Sequence, residues 1–237
     1  MEGAKRAAAF AAGKHHITSG CKLGVGSGST VKYLVEYLSE SIKNGSLKNI
    51  ICVPTSFLTR KWLLDAGCTV SNLEQTPELD VCIDGADEVD AQLNCIKGGG
   101  GCLTQEKIVQ TSAKQFFVIA DIGKRSKLLG DKYVSIPIEV VPLGYVPVMN
   151  WIRKQEGGEC VLRMAERKCG PVLTDNNNYV LDWKFPKGKY VDTASLAALH
   201  TRLVNIPGVV ETGLFVNVAE KAYFATPEGA VIEVSKP

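Results

Sequence analysis

Short apolar runs alternate with amphipathic segments over the first half of the chain. Four runs are continuous in apolar character, which is typical of strands buried on both faces of a parallel sheet. These runs are Cys21–Val25, Asn49–Pro54, Leu79–Ile83 and Phe116–Asp121. After the first run, apolar residues recur at the helical spacing i, i+3, i+4 and i+7, at Val31, Leu34, Val35 and Leu38. The alternation predicts an α/β fold with a mostly parallel sheet and right-handed crossovers. The pair Thr55-Ser56 is expected to cap the helix that follows the second strand.

From residue 136 onward the order of elements changes to strand, helix, strand, strand, helix, strand. The segments are Ile136–Pro142, Tyr145–Gln155, Glu159–Ala165, Val172–Phe185, Ala194–Asn205 and Val209–Val216. This β-α-β-β-α-β order predicts a small antiparallel sheet with helices on one face. A hairpin around Pro227–Gly229 is expected to close the chain. We therefore predict one domain over residues 1–134 and 211–237, with a second, inserted domain over 135–210.

Composition and charge exclude several classes of protein. The chain has 237 residues, a formal charge of +2 and 45% hydrophobic residues. Near-neutral charge argues against a nucleic-acid or anionic-lipid partner, and the apolar content argues against disorder. No apolar stretch approaches the roughly 20 residues that cross a bilayer. We expect a soluble, cytoplasmic protein. Its eight cysteines, which form no CxxC pair, are expected to be reduced, mostly packed thiols and not a zinc site.

The first glycine-rich loop, Gly24–Thr30, lies between a predicted strand and a predicted helix. Backbone N–H groups and the positive end of the helix favour an anion there, and a phosphate is the natural guest of Ser27, Gly28, Ser29 and Thr30. The loop lacks the Gly-Lys-Ser/Thr ending of a Walker A motif and the spacing of the dinucleotide fingerprint. A nicotinamide cofactor is therefore not expected. A tight turn that needs glycine only for its geometry remains the alternative.

The acidic segment Asp84–Asp90 begins where the third predicted strand ends. Parallel α/β sheets bind ligands at this edge, so we assign a function to Asp84 and Asp87, together with the intervening Gly85 and Ala86. The spacing of the acids does not fit an EF-hand calcium loop. Glu88 and Asp90 are expected to lie in a solvated acidic turn.

The segment Lys97–Glu106 is the most specific in the chain. Four consecutive glycines destabilise helix and strand alike, but they suit a loop whose amides bind an oxyanion. Thr104 is predicted to be the N-cap of a helix with Glu106 in its first turn. The helix end favours an ionised Glu106, as a general base requires.

Together these loops offer a phosphate cradle, two carboxylates, a lysine, an oxyanion nest and a base. No residue set suggests a metal site, an organic cofactor or a Ser-His-Asp triad. The inventory favours proton abstraction next to a carbonyl of a small phosphorylated substrate.

Several segments, in this order, resemble type A ribose-5-phosphate isomerases. They are GVGSGST, PTSF, DGADEVD, KGGGGCLTQEKIV, IPIEVVP, GPVLTDNNNYVLDW and IPGVVETGLF, and they span nearly the whole chain. The resemblance implies interconversion of ribose 5-phosphate and ribulose 5-phosphate in the pentose phosphate pathway, without metal or cofactor. It also implies a Rossmann-like domain carrying a ferredoxin-like lid and oligomerisation domain, assembled as a homodimer or a tetramer.

The resemblance also implies a role for each matching position. Glu106 corresponds to the base that moves a proton between C2 and C1 through a cis-enediolate. Lys97 and the amides of Gly98, Gly99 and Gly100 would stabilise the enediolate oxygen. Asp84 and Asp87 would bind sugar hydroxyls and help open the ring. Residues 27–30 and Lys124 match substrate-binding positions, although Lys124 also fits a merely solvated loop.

Two other classes of function stay open. A sugar-phosphate-sensing domain has a related sheet architecture by fold-level analogy, but it would not need Glu106 beside an oxyanion nest. A CoA-transferase-like enzyme would use Glu106 as a nucleophile. The histidines His15, His16 and His200 match no catalytic position and are expected to have core or surface roles.

Overall fold

The computed structural model describes residues 1–236. Its helices are α1 (Glu2–His16), α2 (Val31–Lys43), α3 (Phe57–Asp65), α4 (Leu103–Thr111), α5 (Tyr145–Gln155) and α6 (Thr193–Val204). The first seven strands are β1 (Lys22–Val25), β2 (Ile51–Pro54), β3 (Thr69–Val70), β4 (Leu79–Asp84), β5 (Glu88–Val89), β6 (Cys95–Ile96) and β7 (Ala113–Asp121). The remaining strands are β8 (Ile136–Val140), β9 (Glu159–Leu162), β10 (Tyr179–Lys184), β11 (Val209–Thr212), β12 (Leu214–Phe215), β13 (Lys221–Ala225) and β14 (Val231–Ser235).

The chain divides into two compact units. Unit 1 comprises Met1–Ala86, Gln105–Arg125 and Val218–Pro237, and unit 2 comprises Asp87–Thr104 and Ser126–Asn217. Unit 2 includes residues that the sequence assigns to the first domain, namely 87–104, 126–134 and 211–217. The predicted domain bounds at 134/135 and 210/211 stay a prediction.

Unit 1 is built on a sheet with the strand order β14-β13-β7-β4-β1-β2-β3. All neighbouring pairs are parallel except β13 with β14, which form the predicted hairpin. The predicted apolar runs form strands of this sheet, as expected for strands that are covered on both faces. The sequence did not predict α1, whose buried face consists of Gly13 and of alanines: Ala4, Ala8, Ala9 and Ala12. These small side chains let α1 approach α2 so closely that a Cβ at Gly13 would lie 2.5 Å from the Tyr37 ring.

Unit 2 contains a four-stranded antiparallel sheet with the order β11-β8-β10-β9. This is the ferredoxin-like order, and it confirms the predicted fold class: a mostly parallel sheet with an additional α+β portion. Trp183, Leu181 and Ile138 from the sheet share a core with Val148 from α5 and Leu199 from α6.

A second, three-stranded sheet of unit 2 joins β12, β6 and β5. The single strand predicted over 209–216 is wrong, because the chain changes sheets at Gly213. A Cβ at Gly213 would overlap the Lys97 carbonyl oxygen, so only glycine fits at this crossing. Among residues 1–236, no helix is long and apolar enough to span a membrane.

Candidate active site

In unit 1, the Asp84 carboxylate packs directly against the first glycine-rich loop. Asp84 ends β4 and is only 1% exposed. Its Oδ1 accepts hydrogen bonds from the backbone N–H groups of Ser27 (2.9 Å) and Gly85 (2.6 Å). A Cβ at Gly26 would collide with the same carboxylate, so glycine is required there by close approach. The neighbouring strands β1 and β4 thus place the predicted Asp84 beside the predicted Ser27.

A group of hydroxyls holds the other side of this loop. Ser27 Oγ lies 2.7 Å from Thr55 Oγ1, and the Thr59 hydroxyl donates to the Gly26 carbonyl oxygen at 2.7 Å. Thr55 and Thr59 are fully buried. Ser56 is the N-cap of α3 and accepts from the Thr59 N–H, as the sequence predicted. On this side, the loop is therefore fixed by neutral hydrogen bonds from the strand-helix connection that follows β2 and from the start of α3.

The start of α2 has the properties of an anion site. Thr30 occupies the N-cap position, but its side chain caps no N–H group, and the first turn contains no acidic residue. Gly28 has φ +106°, a conformation that favours glycine. Gly28 and Ser29 are exposed. An incoming anion would meet the positive helix end without competition from a side-chain carboxylate.

Glu106 lies in the first turn of α4 and is 4% exposed. One turn further along the same helix face, Val109 packs on β1, where a Cβ at Gly24 would lie 2.7 Å from Val109 Cγ1. The end of α4 leads directly into the start of β7, so the helix runs against the strand direction. Its beginning, with Glu106, therefore points toward the carboxyl ends of β1 and β4.

Thr104 is not the N-cap of α4, contrary to the sequence prediction. The helix begins at Leu103, so Thr104 is already its second residue. The Thr104 hydroxyl donates instead to Glu139 Oε2 at 2.6 Å. The N-cap prediction failed because this partner lies 35 residues away in the chain. The prediction that Glu106 lies in the first turn is confirmed.

Lys124 closes a short 3₁₀ helix, Ile122–Lys124, that follows β7. Asp121 caps this helix by accepting from the Gly123 N–H at 3.0 Å. Lys124 is half-buried, not fully solvated. Because β7 is the parallel neighbour of β4, Lys124 follows the same sheet edge at which Asp84 lies.

In unit 2, the glycine loop is tied to Asp87. Asp87 Oδ2 accepts from the Gly99 N–H at 2.7 Å, and a Cβ at Gly99 would lie 2.6 Å from Asp87 Oδ1. Gly98 and Gly101 have φ +100° and +77°, and the Gly101 N–H closes a turn onto the Gly98 carbonyl. Burial and the charge of Asp87 raise the pKa of the Tyr133 hydroxyl to about 12, so Tyr133 stays neutral.

Lys97 is buried just before the glycines. The residue is 2% exposed, its N–H donates to the Gly213 carbonyl at 2.9 Å, and its ammonium lies 5.5 Å from the centroid of the Phe215 ring. The structure thus places the predicted Lys97 as a buried side chain at the start of the glycine loop.

Glu88 and Asp90 do not form a solvated turn. Both are buried. Glu88 accepts from the Ser126 hydroxyl and from two backbone N–H groups, those of Gly130 and Lys132, at 2.6–2.8 Å. Asp90 accepts from Asn94 and Gln92. These two carboxylates fold the surrounding loops, which corrects the prediction.

Two charged residues of unit 2 were not singled out from the sequence. Glu139, in the middle of β8, is fully buried and accepts hydrogen bonds from Thr104, Thr174, Asn176 and Asn178. Arg163 donates to the carbonyl oxygens of Gly98 and Gly99. The available signal for both was a charged residue between apolar residues of a strand-like run, Glu139 within IPIEVVP and Arg163 within CVLRMA.

Comparison with known proteins gives a consistent picture. The family model described as ribose 5-phosphate isomerase A (phosphoriboisomerase A) matches residues 51–229. A protein of Caenorhabditis elegans named probable ribose 5-phosphate isomerase is 59% identical over 234 residues, covering 99% of this chain and 92% of the relative. The ribose-5-phosphate isomerase of Homo sapiens is 50% identical over 237 residues, covering 100% of this chain and 74% of the relative.

Solved structures agree over the same length. A D-ribose-5-phosphate isomerase in complex with phospho-erythronic acid has a TM-score of 0.91 at 36% identity, covering 98% of this chain and 97% of the other. The ribose 5-phosphate isomerase of Plasmodium falciparum has a TM-score of 0.91 at 32% identity, covering 100% and 99%. The chain therefore belongs to the ribose 5-phosphate isomerase A family.

Proposed function

We propose that the protein interconverts ribose 5-phosphate and ribulose 5-phosphate through a cis-enediolate, with Glu106 as the general base. The observation that carries this proposal is the placement of Glu106. It is a buried carboxylate in the first turn of a helix that points toward the carboxyl ends of β1 and β4. The helix end favours the ionised form that removes a proton.

The phosphate binds at Ser27, Gly28, Ser29 and Thr30, and Lys124 adds a positive charge. The uncapped start of α2 and its lack of acidic residues support this assignment. Asp84, with Gly85 and Ala86 beside it, binds sugar hydroxyls and carries the proton that opens the ring. Its two bonds to backbone N–H groups fix its Oδ1 in one orientation.

Lys97 and the amides of Gly98 and Gly100 stabilise the enediolate oxygen. The Gly99 N–H already donates to Asp87, so we assign Gly99 the task of placing Asp87, which binds a sugar hydroxyl. Positive charge and amide donors fixed before the reaction stabilise an oxyanion with little reorganisation.

A turnover assay in EDTA tests the activity. We expect the purified protein to equilibrate the two pentose phosphates, and Glu106→Gln to lower kcat by about 10²–10⁴-fold with little change in substrate affinity. The matched control is Glu74→Gln at an exposed position. Near-normal turnover by Glu106→Gln would exclude Glu106 as the base. Tight binding without turnover favours a sensor, and a requirement for CoA favours the transferase.

Isotope transfer tests the route. With substrate deuterated at C2, an enediolate mechanism loses most of the label to water and carries part of it to C1. Complete retention of the label would indicate a hydride shift and contradict the role of Glu106.

The family resemblance also supports proposals about cellular context. The protein acts in the pentose phosphate pathway, in the cytoplasm, and assembles as a homodimer or a tetramer. Light scattering of the purified protein tests the assembly, and imaging of the tagged protein tests the compartment.

A further inference from the structure

We propose that Arg163 is a positioning residue for the oxyanion-binding glycines: it fixes the peptide groups after Gly98 and Gly99 so that the Gly100 N–H faces the enediolate. The inference rests on the proposed function. It assigns a role in that reaction to a residue outside the resemblance and the catalytic set.

The Arg163 guanidinium is shared between the glycine loop and a carboxylate. Its Nη1 donates to the carbonyl oxygens of Gly98 (2.9 Å) and Gly99 (3.1 Å). Its Nε and Nη2 donate to the two carboxylate oxygens of Asp182, at 2.7 and 2.5 Å. This bidentate pair uses the planar fork of arginine, which lysine cannot reproduce.

The direction of the peptide groups follows from their geometry. In a trans peptide, the C=O of one residue and the N–H of the next point in opposite directions. The Gly98 C=O faces Arg163, and the Gly99 N–H accordingly points the other way, onto Asp87 Oδ2. The Gly99 C=O also faces Arg163. The Gly100 N–H must therefore point away from Arg163, which makes it a donor directed out of the loop.

Arg163 gives the glycine loop a fixed backbone conformation. Glycine has the largest choice of backbone conformations, so a loop of four has no intrinsic reason to keep two carbonyls on one side. Arg163 follows β9 and is bonded to the sheet through its backbone, its N–H donating to Val180. A positive charge on the carbonyl side also polarises both peptides, which strengthens their N–H groups as donors.

This arrangement predicts an effect on the transition state more than on binding. Within unit 2, Arg163 hydrogen-bonds to Gly98, Gly99, Asp182 and Val180, and none of these residues belongs to the proposed phosphate site. The oxyanion exists only once the proton has left. Loss of Arg163 should therefore lower kcat by much more than it raises KM, where a small change follows because the Gly99 N–H also donates to Asp87.

The experiment compares Arg163→Met, Arg163→Lys and Asp182→Asn with the control Arg153→Met. Arg153 also donates from unit 2 to a backbone carbonyl, that of Cys160, but not to the glycine loop. We expect Arg163→Met to lower kcat by about 10–100-fold, with KM within about 3-fold, since misplaced donors cost this much. The kcat values of Arg163→Lys and Asp182→Asn should lie between those of Arg163→Met and wild type. The affinity for phospho-erythronic acid should fall in parallel with kcat/KM.

Two readouts separate the inference from the proposed function. Wild-type turnover tests the function, whereas the ratio of variant to wild type tests Arg163. The Gly100 amide resonance in ¹⁵N-labelled protein needs no turnover, and we expect it to shift or broaden in the Arg163 variants but not in Arg153→Met. Folded Arg163→Lys and Asp182→Asn proteins with wild-type kcat and an unchanged Gly100 resonance would overturn the proposal. So would a change in KM alone.

Discussion

The two glycine-rich loops, Gly24–Thr30 in unit 1 and Lys97–Gly101 in unit 2, are held in place by different interactions. The first loop is fixed on one side by neutral hydroxyls, among them Thr55 and Thr59, and on the other by the Asp84 carboxylate, which accepts from the Ser27 N–H. The second is fixed by charged groups on both sides, with Asp87 on an amide and Arg163 on two carbonyls. The difference agrees with the proposed roles, since a bound phosphate carries its own charge and needs only a preformed turn, whereas a transient oxyanion needs donors that are already oriented.

Distance along the chain separates only some of these contacts, since Asp84 lies 57 residues from Ser27 and Asp87 lies 12 residues from Gly99. Thr55 and Thr59 come from the strand-helix connection next to the first loop. Arg163 is 64–65 residues from the glycines it holds. Hydrogen bonds to charged groups contribute about 1.5–3 kcal/mol each, against about 0.5–1.5 kcal/mol for neutral ones. The first loop should therefore tolerate loss of a hydroxyl better than loss of its close fit against Asp84, whose carboxylate also accepts from the Ser27 N–H.

Gly26→Ala is the substitution that breaks this steric fit. The new methyl group would overlap the Asp84 carboxylate, so Asp84 and Ser27 must both move. We expect kcat/KM to fall by about 10²-fold, since small misplacements of reacting groups cost this much. Unfolding free energy should fall by about 1–3 kcal/mol. Gly3→Ala is the control, because its Cβ would meet nothing within 4 Å in α1. Normal kinetics in Gly26→Ala would mean that the first loop is not held by fit.

Gly98→Ala tests the second loop. Gly98 has φ +100°, and a Cβ would lie 2.8 Å from Leu103 Cδ2 and 3.1 Å from Pro137 Cβ. We expect kcat to fall by about 10-fold through misplaced amides and stability to fall by about 1–2 kcal/mol. Denaturant unfolding and steady-state kinetics measure the two effects. Gly100→Ala is the matched control for stability, since its Cβ would meet nothing within 4 Å. Equal destabilisation by both substitutions would contradict this account of the loop.

The sequence predicted the parts of the molecule whose causes are local. Continuous apolar runs gave the parallel strands, and Ser56 was correctly expected to cap α3. The first loop was found because strand, glycines and helix follow one another directly. The helix α1 was missed because its buried face is made of alanine and glycine, which produce little contrast between apolar and polar positions.

The sequence failed where a side chain finds its partner far along the chain. Thr104 has the residue type and position of an N-cap, but its hydroxyl donates a hydrogen bond to Glu139. Glu88 resembles a solvated acid, but the loop at 126–132 supplies its donors. Burial and long-range hydrogen bonds follow from topology, which local patterns do not contain. The charged supports of the second loop, Arg163 among them, belong to the same class.

A pH series sharpens the comparison by testing how far unit 2 depends on buried charge. Burial of Glu156 disfavours its carboxylate, but hydrogen bonds from Arg202, Tyr190 and Lys189 outweigh this and hold its pKa at about 2. A pKa lowered in the folded state adds stability that is present above the unfolded value of about 4.5 and lost as the pH falls toward 2. We expect a contribution of about 1–2 kcal/mol, reduced because Arg202 and Lys189 are nearly half exposed.

Denaturant unfolding between pH 6 and pH 2 measures this contribution. Glu156→Gln should be less stable than wild type at pH 6 and should lose less stability on acidification. Glu159→Gln is the control, because Glu159 forms its ion pair with Lys184 at the surface. Parallel pH curves for wild type and Glu156→Gln would show that this buried charge does not stabilise unit 2.

Thr55→Val should have the smallest effect of the set, because it removes one neutral hydrogen bond and keeps the shape of the side chain. Thr55 is fully buried, and its Oγ1 lies 2.7 Å from Ser27 Oγ. We expect a loss of about 0.5–1.5 kcal/mol in unfolding free energy and a rise in KM of less than about 10-fold, with kcat retained. The rise in KM follows from the proposed role of Ser27 in binding the phosphate, because the substitution removes the Thr55 hydroxyl beside Ser27 Oγ.

Thr111→Val is the control, since the Thr111 hydroxyl donates to carbonyl oxygens of its own helix at an exposed position. A loss of kcat in Thr55→Val as large as that in Gly98→Ala would contradict the distinction between the two loops. A single neutral hydroxyl of the first loop would then affect kcat as much as the backbone conformation of the second.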